Sequence, residues 1–207
     1  IGTTMTEAKD NPARIASIIQ DMAISGHYIH ADAALAGGFA PFIDPRPIFD
    51  FQDGVDSISV SGHKFIGSPM PSGVVIVKKD NRDRIARNIA YIGSADATIT
   101  GSRNGHSPLF LWYAIKKLGV EGFTQRTRHS LAVAAYTLKK LQTLGIDAWR
   151  NPNAITVVFP APPVAIIDKW QLATENGQSH IICMPNVSFD QIDLLIQDLK
   201  ETMIIPA

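Results

Sequence analysis

Residues 55–79 read VDSISVSGHKFIGSPMPSGVVIVKK, and the reading of this stretch decides the fold. Ser57, Ser59 and Ser61 alternate with Ile58 and Val60, the period-two pattern of a half-buried strand. Gly62 ends the alternation and His63-Lys64 follow at once, before two glycine-punctuated turns. A second β-branched run, SGVVIVKK at 72–79, reads as the next strand. Lysine is among the side chains least often fully buried, so Lys64 taken alone is a solvated residue at a strand end. The rest of the chain has to overturn that reading.

Upstream, ARIASIIQDMA places Ile15, Ile18, Ile19 and Met22 on one helical face, with Asn11-Pro12 as a start signal. HYIHADAAL reads as a short strand giving onto a loop, and Pro41, Pro45 and Pro47 make the following residues irregular. Downstream, NRDRIARNIAYI reads as a helix and TITGSRNGHS as a loop, with Pro108 opening a long helix. A second helix, FTQRTRHSLAVAAYTLKKLQTLG, is closed by Gly145. The tail predicts strand (AITVVFP), helix (VAIIDKWQLAT), strand (HIICMPN) and helix (FDQIDLLIQDLKETM), a β-α-β-α lobe. The expected organisation is α/β, with residues 1–105 in a mostly parallel, helix-covered sheet and 106–207 forming linking helices and a small lobe.

Composition narrows the function classes. Nineteen basic residues balance nineteen acidic ones, so no global charge favours nucleic acid or an anionic membrane. No apolar run approaches the roughly 20 residues that span a bilayer. The single cysteine, Cys183, cannot form an internal disulfide and points to a reducing, cytoplasmic setting, with Cys183 itself read as a buried strand residue. The opening IGTTMTEAKD has no signal-peptide pattern and no initiator Met. It reads as the end of a buried strand whose beginning lies upstream, so a piece of a longer protein is expected.

Four polar clusters interrupt the plain pattern: GTT at 2–4, HADAA at 30–34, SGHK at 61–64 and GSRNGH at 101–106. Each falls where a strand gives way to a loop, and in open α/β sheets the carboxyl ends of strands line the ligand crevice. The His and Asp spacings do not suit a metal centre. No Gly-x-Ser-x-Gly elbow surrounds Ser61, against a Ser-His-Asp nucleophile. A lysine, a carboxylate, short hydroxyl and imidazole donors and an arginine on one rim are instead what pyridoxal phosphate chemistry requires. His27, His106, His129 and His180 read as structural or surface residues, with His106 the nearest of them to the site motifs. Trp112, Trp149 and Trp170 read as core or interface aromatics.

HADAA followed by SVSGHKFIGSPMPSGVVI resembles the group II pyridoxal-dependent decarboxylases. TITGSRNGHSPLFLWYAI and AWRNPNAITVVFP are similar to the bacterial members acting on histidine, while WYAIKKLGVEGF and WQLATENGQSHIICMPNV lean to the plant members acting on serine. The resemblance runs from Ile1 to about Leu199 and favours histidine, decarboxylated to histamine. It implies a fold-type I, aspartate aminotransferase-like architecture, as the back half of the large domain plus the small C-terminal α/β domain. It also implies a homodimer with an amino-acid substrate.

By the same resemblance Lys64 is the cofactor-linking lysine and Asp32 the partner of the pyridinium nitrogen. Ala34 packs on the ring, and Thr3 or Thr4 bonds near Asp32 and the ring. Ser61 and His63 approach the phosphate, and Arg103 holds the substrate carboxylate. The family's N-terminal half carries further site residues, so the expectation is that this chain holds about half a site and does not turn over alone. Two other readings stand beside this one: another pyridoxal enzyme of the same fold, such as an aminotransferase or lyase, and an inactive binding or assembly module.

Overall fold

The computed structural model describes residues 1–99 and 101–204. Thr100, inside the TITGSRNGHS stretch, lies outside the described residues. Two compact units divide the chain, one of Ile1 and Asp10–Gly119, the other of Gly2–Lys9 and Val120–Ala207.

In the first unit α1 (Pro12–Asp21) starts as its sequence predicts, with Asn11 Oδ1 accepting from Arg14 N and Pro at the first turn. Strand β1 (His30–Asp32) pairs in parallel with β2 (Ser57–Ser61), and Asp32 stands opposite Ser59. Strand β3 (Gly73–Val77) lies antiparallel on the other side of β2. The sheet is therefore mixed where a mostly parallel one was expected. The cause is loop length: the segment between Ser61 and Gly73 is too short for the crossover that a parallel neighbour needs. The longer crossover from β1 to β2 is built of three short 3-10 turns rather than a full helix. Ala31, Ala33, Ala40, Phe49, Val55 and Ile58 bury themselves between this crossover and the sheet.

The expected helix NRDRIARNIAYI is a second difference. Helix α2 (Lys79–Ile85) stops at Ala86, and a hairpin follows, β4 (Arg87–Ile89) with β5 (Ser94–Asp96). No residue of α2 is buried, so packing does not extend it beyond its own propensity. Gly93, at φ 66°, sits in the turn that reverses the chain.

Helix α3 (His106–Thr143) joins the two expected long helices in one span, broken at Gly119, whose φ of 57° and ψ of −170° are not helical. The second unit then builds β6 (Thr156–Pro160), α4 (Val164–Trp170), β7 (Ala173–Glu175), β8 (Gln178–Ile182) and α5 (Phe189–Ile204). Its sheet, in the order β6-β8-β7, is wholly antiparallel. The β-α-β-α reading thus missed β7. Gln171, left-handed at φ 51°, ends α4, and Asn176-Gly177 turn the chain with φ of 50° and 75°. Asn-Gly between two short runs is the signature of a tight hairpin. Val133, Leu141, Val157, Phe159, Cys183, Leu195 and Leu199 form the closed core of this unit. Among the described residues no helix is long and apolar enough to cross a membrane.

Candidate active site

The parallel pair β1–β2 ends in a cluster of polar groups. Asp32 is exposed at the last position of β1, and its Oδ1 accepts from Ala34 N at 3.0 Å and from Ser59 Oγ at 3.3 Å. These two bonds hold the carboxylate in one orientation, and no described residue donates to Oδ2. Ser61 N donates to Ala34 O at 3.0 Å, which ties the ends of the two strands together. Ala34 is half-buried beside the carboxylate.

Beyond Ser61 the chain turns tightly: Lys64 N donates to Ser61 O, and Gly67 N, with φ at 87°, donates to Lys64 O. Gly62 is required here by space. A Cβ on it would stand 2.3 Å from Ser72 Oγ and 2.6 Å from Leu111 Cδ2. The turn leaves His63 and Lys64 exposed, while Phe65 points inward against Phe39, ring centroids 5.1 Å apart. The Lys64 amine makes no hydrogen bond or ion pair among the described residues, so it remains available to a ligand.

His63 is oriented by backbone. Ser72 N lies 3.1 Å from His63 Nδ1, and a backbone N–H can only donate, so Nδ1 accepts. The neutral ring then carries its proton on Nε2, leaving that nitrogen as a donor on an exposed side chain. Ser72 O, also 3.1 Å from Nδ1, already accepts from Gly62 N at 2.9 Å.

Arg103 lies in the loop before α3, exposed, with Nη1 donating to Thr98 Oγ1. Asp96 in the same region is held below its ordinary value first by the Thr98 hydroxyl, then by the Thr98 amide, with the charge of Arg103 adding to both. Asn104 Oδ1 accepts from the Ser107 amide and hydroxyl and so caps α3. His106, the first residue of α3, is exposed and stacks on Phe110.

Asp32, Ala34, Ser61, His63 and Lys64 are thus brought to one edge of the sheet. Arg103 is held by partners in its own loop. Thr3 and Thr4 belong to the second unit, where Thr3 Oγ1 accepts from Ala8 N and shares a hydrogen bond with Thr6 Oγ1. Ser59 and Ser72 were missed from sequence, although they orient Asp32 and His63. Ser59 was legible: it lies two residues from Ser61 on the same strand face. Ser72 was not, because its amide, not its side chain, does the work.

The chain matches the pyridoxal-dependent decarboxylase conserved domain over residues 1–159. The chain belongs to the pyridoxal-dependent decarboxylase family. Among the curated relatives, histidine decarboxylase of Mesorhizobium japonicum is 50% identical over 200 residues, covering 97% of this chain and 54% of the relative. Histidine decarboxylase of Vibrio campbellii is 48% identical over 202 residues, covering 96% and 52%. The chain spans about half the length of these relatives. Among solved structures, L-methionine decarboxylase from Streptomyces sp. 590 superposes with a TM-score of 0.84 at 28% identity, over 97% of this chain and 52% of that one. Lactobacillus brevis glutamate decarboxylase, at 22% identity and a TM-score of 0.83 over 98% and 53%, shares the fold. The α/β, fold-type I architecture expected from the sequence is met by these likenesses.

The donor set of this decarboxylase-family chain fits pyridoxal phosphate. Asp32 presents an oriented carboxylate, and Lys64 and His63 are exposed in the turn that follows the neighbouring strand.

Proposed function

We propose that this chain forms part of a pyridoxal-phosphate-dependent amino-acid decarboxylase acting on L-histidine, with histamine and carbon dioxide as products. The observation that carries this reading is the edge of the β1–β2 pair, where an oriented Asp32 ends one strand and an unengaged Lys64 follows the end of its parallel neighbour. The choice of histidine rests on the identity of 46–50% to relatives named histidine decarboxylase.

Pyridoxal phosphate, when bound, supplies an electron sink for the carbon–carbon bond that breaks. Lys64 would hold the cofactor through its amine. Asp32 Oδ2 holds the proton on the pyridine nitrogen, and its orientation by Ser59 and Ala34 keeps that oxygen in place. Ala34 packs on the ring. His63 Nε2 and the Ser61 hydroxyl donate to the phosphate as short, positioned donors. Arg103 binds the substrate carboxylate with its guanidinium fork, for which a lysine would be a poor substitute. The assembly is a cytoplasmic homodimer; the exposed Leu109, Trp112 and Tyr113 on α3 suit burial against a partner. Since the chain spans about half the length of its relatives, turnover is expected of the whole protein and not of these 207 residues alone.

Amine release from the full-length protein, measured with histidine and serine in parallel, tests this. Histamine as the main product supports the reading. Ethanolamine from serine transfers the activity to the alternative substrate, and no amine from either, with no cofactor absorbance band, overturns it.

A further inference from the structure

Two side-chain hydrogen bonds cross from β1 to β2 on one face of the first unit's sheet. The parallel register sets His30 opposite Ser57 and Asp32 opposite Ser59, with Ala31 opposite Ile58 between them. Side chains two apart on a strand share a face, so the four polar residues stand on the side opposite Ala31 and Ile58, which belong to the core. The bond to Asp32 is the longer one, Ser59 Oγ donating to Oδ1 at 3.3 Å. One rung below, His30 Nδ1 and Ser57 Oγ share a hydrogen bond of 2.6 Å. Ser57 is buried, and a buried hydroxyl needs a partner, which the exposed His30 supplies.

Strand β1 is only three residues long, and of these Ala31 alone is buried. Cross-strand side-chain pairs stabilise such a pairing, and His30–Ser57 is the closer of the two on this face. Asp32 ends the strand, so any movement of β1 along or away from β2 carries its carboxylate with it. Ser57 also lines a cavity of about 520 Å³ with Val75, Val77 and Ile85, so a methyl group added to it has room.

We propose that His30 and Ser57 are positioning residues for Asp32: their bond holds the end of β1 so that the Asp32 carboxylate meets the ring nitrogen of pyridoxal phosphate. The proposal rests on the pyridoxal phosphate reading above and adds to it two residues that act through Asp32. An acid fixed against the ring nitrogen keeps that nitrogen protonated, so a displaced Asp32 costs turnover more than it costs substrate binding.

Three full-length variants test it. Ser57→Ala removes the hydroxyl, His30→Val removes the imidazole but keeps a strand-forming side chain, and Ser57→Thr keeps the hydroxyl. The readouts are kcat and KM for amine release, taken separately, and the ¹⁵N resonance of bound pyridoxal phosphate labelled at its ring nitrogen. In Ser57→Ala and His30→Val, kcat should fall roughly tenfold to a hundredfold, the scale of a group displaced by about 1 Å, with KM little changed. The ring-nitrogen resonance should move away from its wild-type position in both variants, and Ser57→Thr should restore kcat and resonance together. An unmoved resonance in Ser57→Ala and His30→Val would overturn the proposal whatever happens to thermal stability, since the pair would then be structural only. A raised KM at constant kcat, or a failure of Ser57→Thr to restore the signal, would overturn it too. A wild-type protein that binds no pyridoxal phosphate would sink the functional reading, and this proposal with it.

Discussion

Helix α1, with its C-cap, leaves Ile15, Ile18 and Met22 exposed at 40%, 47% and 65%, whereas α5 buries Ile192, Leu195, Ile196 and Leu199 to within 4%. Both helices carry an apolar stripe of the same period. Val75 and Ile76 on β3 share the fate of α1, being exposed on successive and hence opposite faces of the strand. The second unit closes its own core, while the first leaves apolar residues of α1 and β3 exposed. Amphipathic pattern therefore specifies that a helix forms and which side wants burial, but not whether this stretch of chain supplies the cover. The unit whose helix α1 and strand β3 leave apolar residues exposed is also the one that carries Asp32 and Lys64.

The largest effect expected from breaking this contrast is chemical and confined to the first unit. In the full-length protein Lys64→Ala should lower decarboxylation by several orders of magnitude and remove the cofactor absorbance band, with circular dichroism unchanged, since Lys64 is exposed. Lys64→Arg should fail equally, because a guanidinium stays protonated. Near-normal turnover in either variant would defeat the assignment of Lys64.

Next in size is a stability contrast on the 207-residue chain, read as urea midpoints. Leu195→Ala empties space in a closed core and should cost about 2–5 kcal/mol. Ile18→Ala removes a side chain already in water and should stay within about 0.5 kcal/mol. Equal costs would mean that the exposed face of α1 is covered in solution.

The smallest effect sharpens the comparison through pH. In the first unit Asp53 accepts from both terminal nitrogens of Arg46 and from the Phe49 and Asp50 amides, and the Arg46 bonds above all hold it well below the usual carboxylate range. Its contribution is present above its unfolded value and fades as pH falls below about 4. Glu7 in the second unit has the opposite sign. Burial raises its value, so the folded state is favoured below the ordinary 4.5 and loses that advantage as pH rises through the higher folded value. Lys9 is the charged neighbour that pulls it the other way. Comparing wild type with Asp53→Asn should show a stability gap that shrinks on acidification. Against Glu7→Gln, wild type should lose ground as the pH is raised from acid towards neutral. Parallel pH curves for all three proteins would contradict both assignments.

Much of the site was legible in the sequence because strand ends announce themselves: alternation stops at Gly62, and the residues that follow are displayed at the sheet edge. Asp32 and the His63-Lys64 turn were placed in this way, and the cap at Asn11 and the helix end at Gly145 by the same local logic. Local signals misled where they competed. NRDRIAR is a good helical run, but none of its residues is buried, and the hairpin beyond Ala86 took over the rest. In the second unit the Asn176-Gly177 turn was written in the chain and outweighed by the helical pattern before it.

What the sequence by itself determined about this protein is its α/β class, its strand-end motifs and its family, since these depend on period, punctuation and residue type along a short stretch. Tertiary structure alone decided that β3 runs antiparallel, that Ser59 and the Ser72 amide orient Asp32 and His63, and that Glu7 lies buried on the amides of Ile155 and Thr156. Those outcomes join residues distant along the chain, and they follow from loop length, register and the need of every buried polar group for a partner, none of which is encoded at a single position.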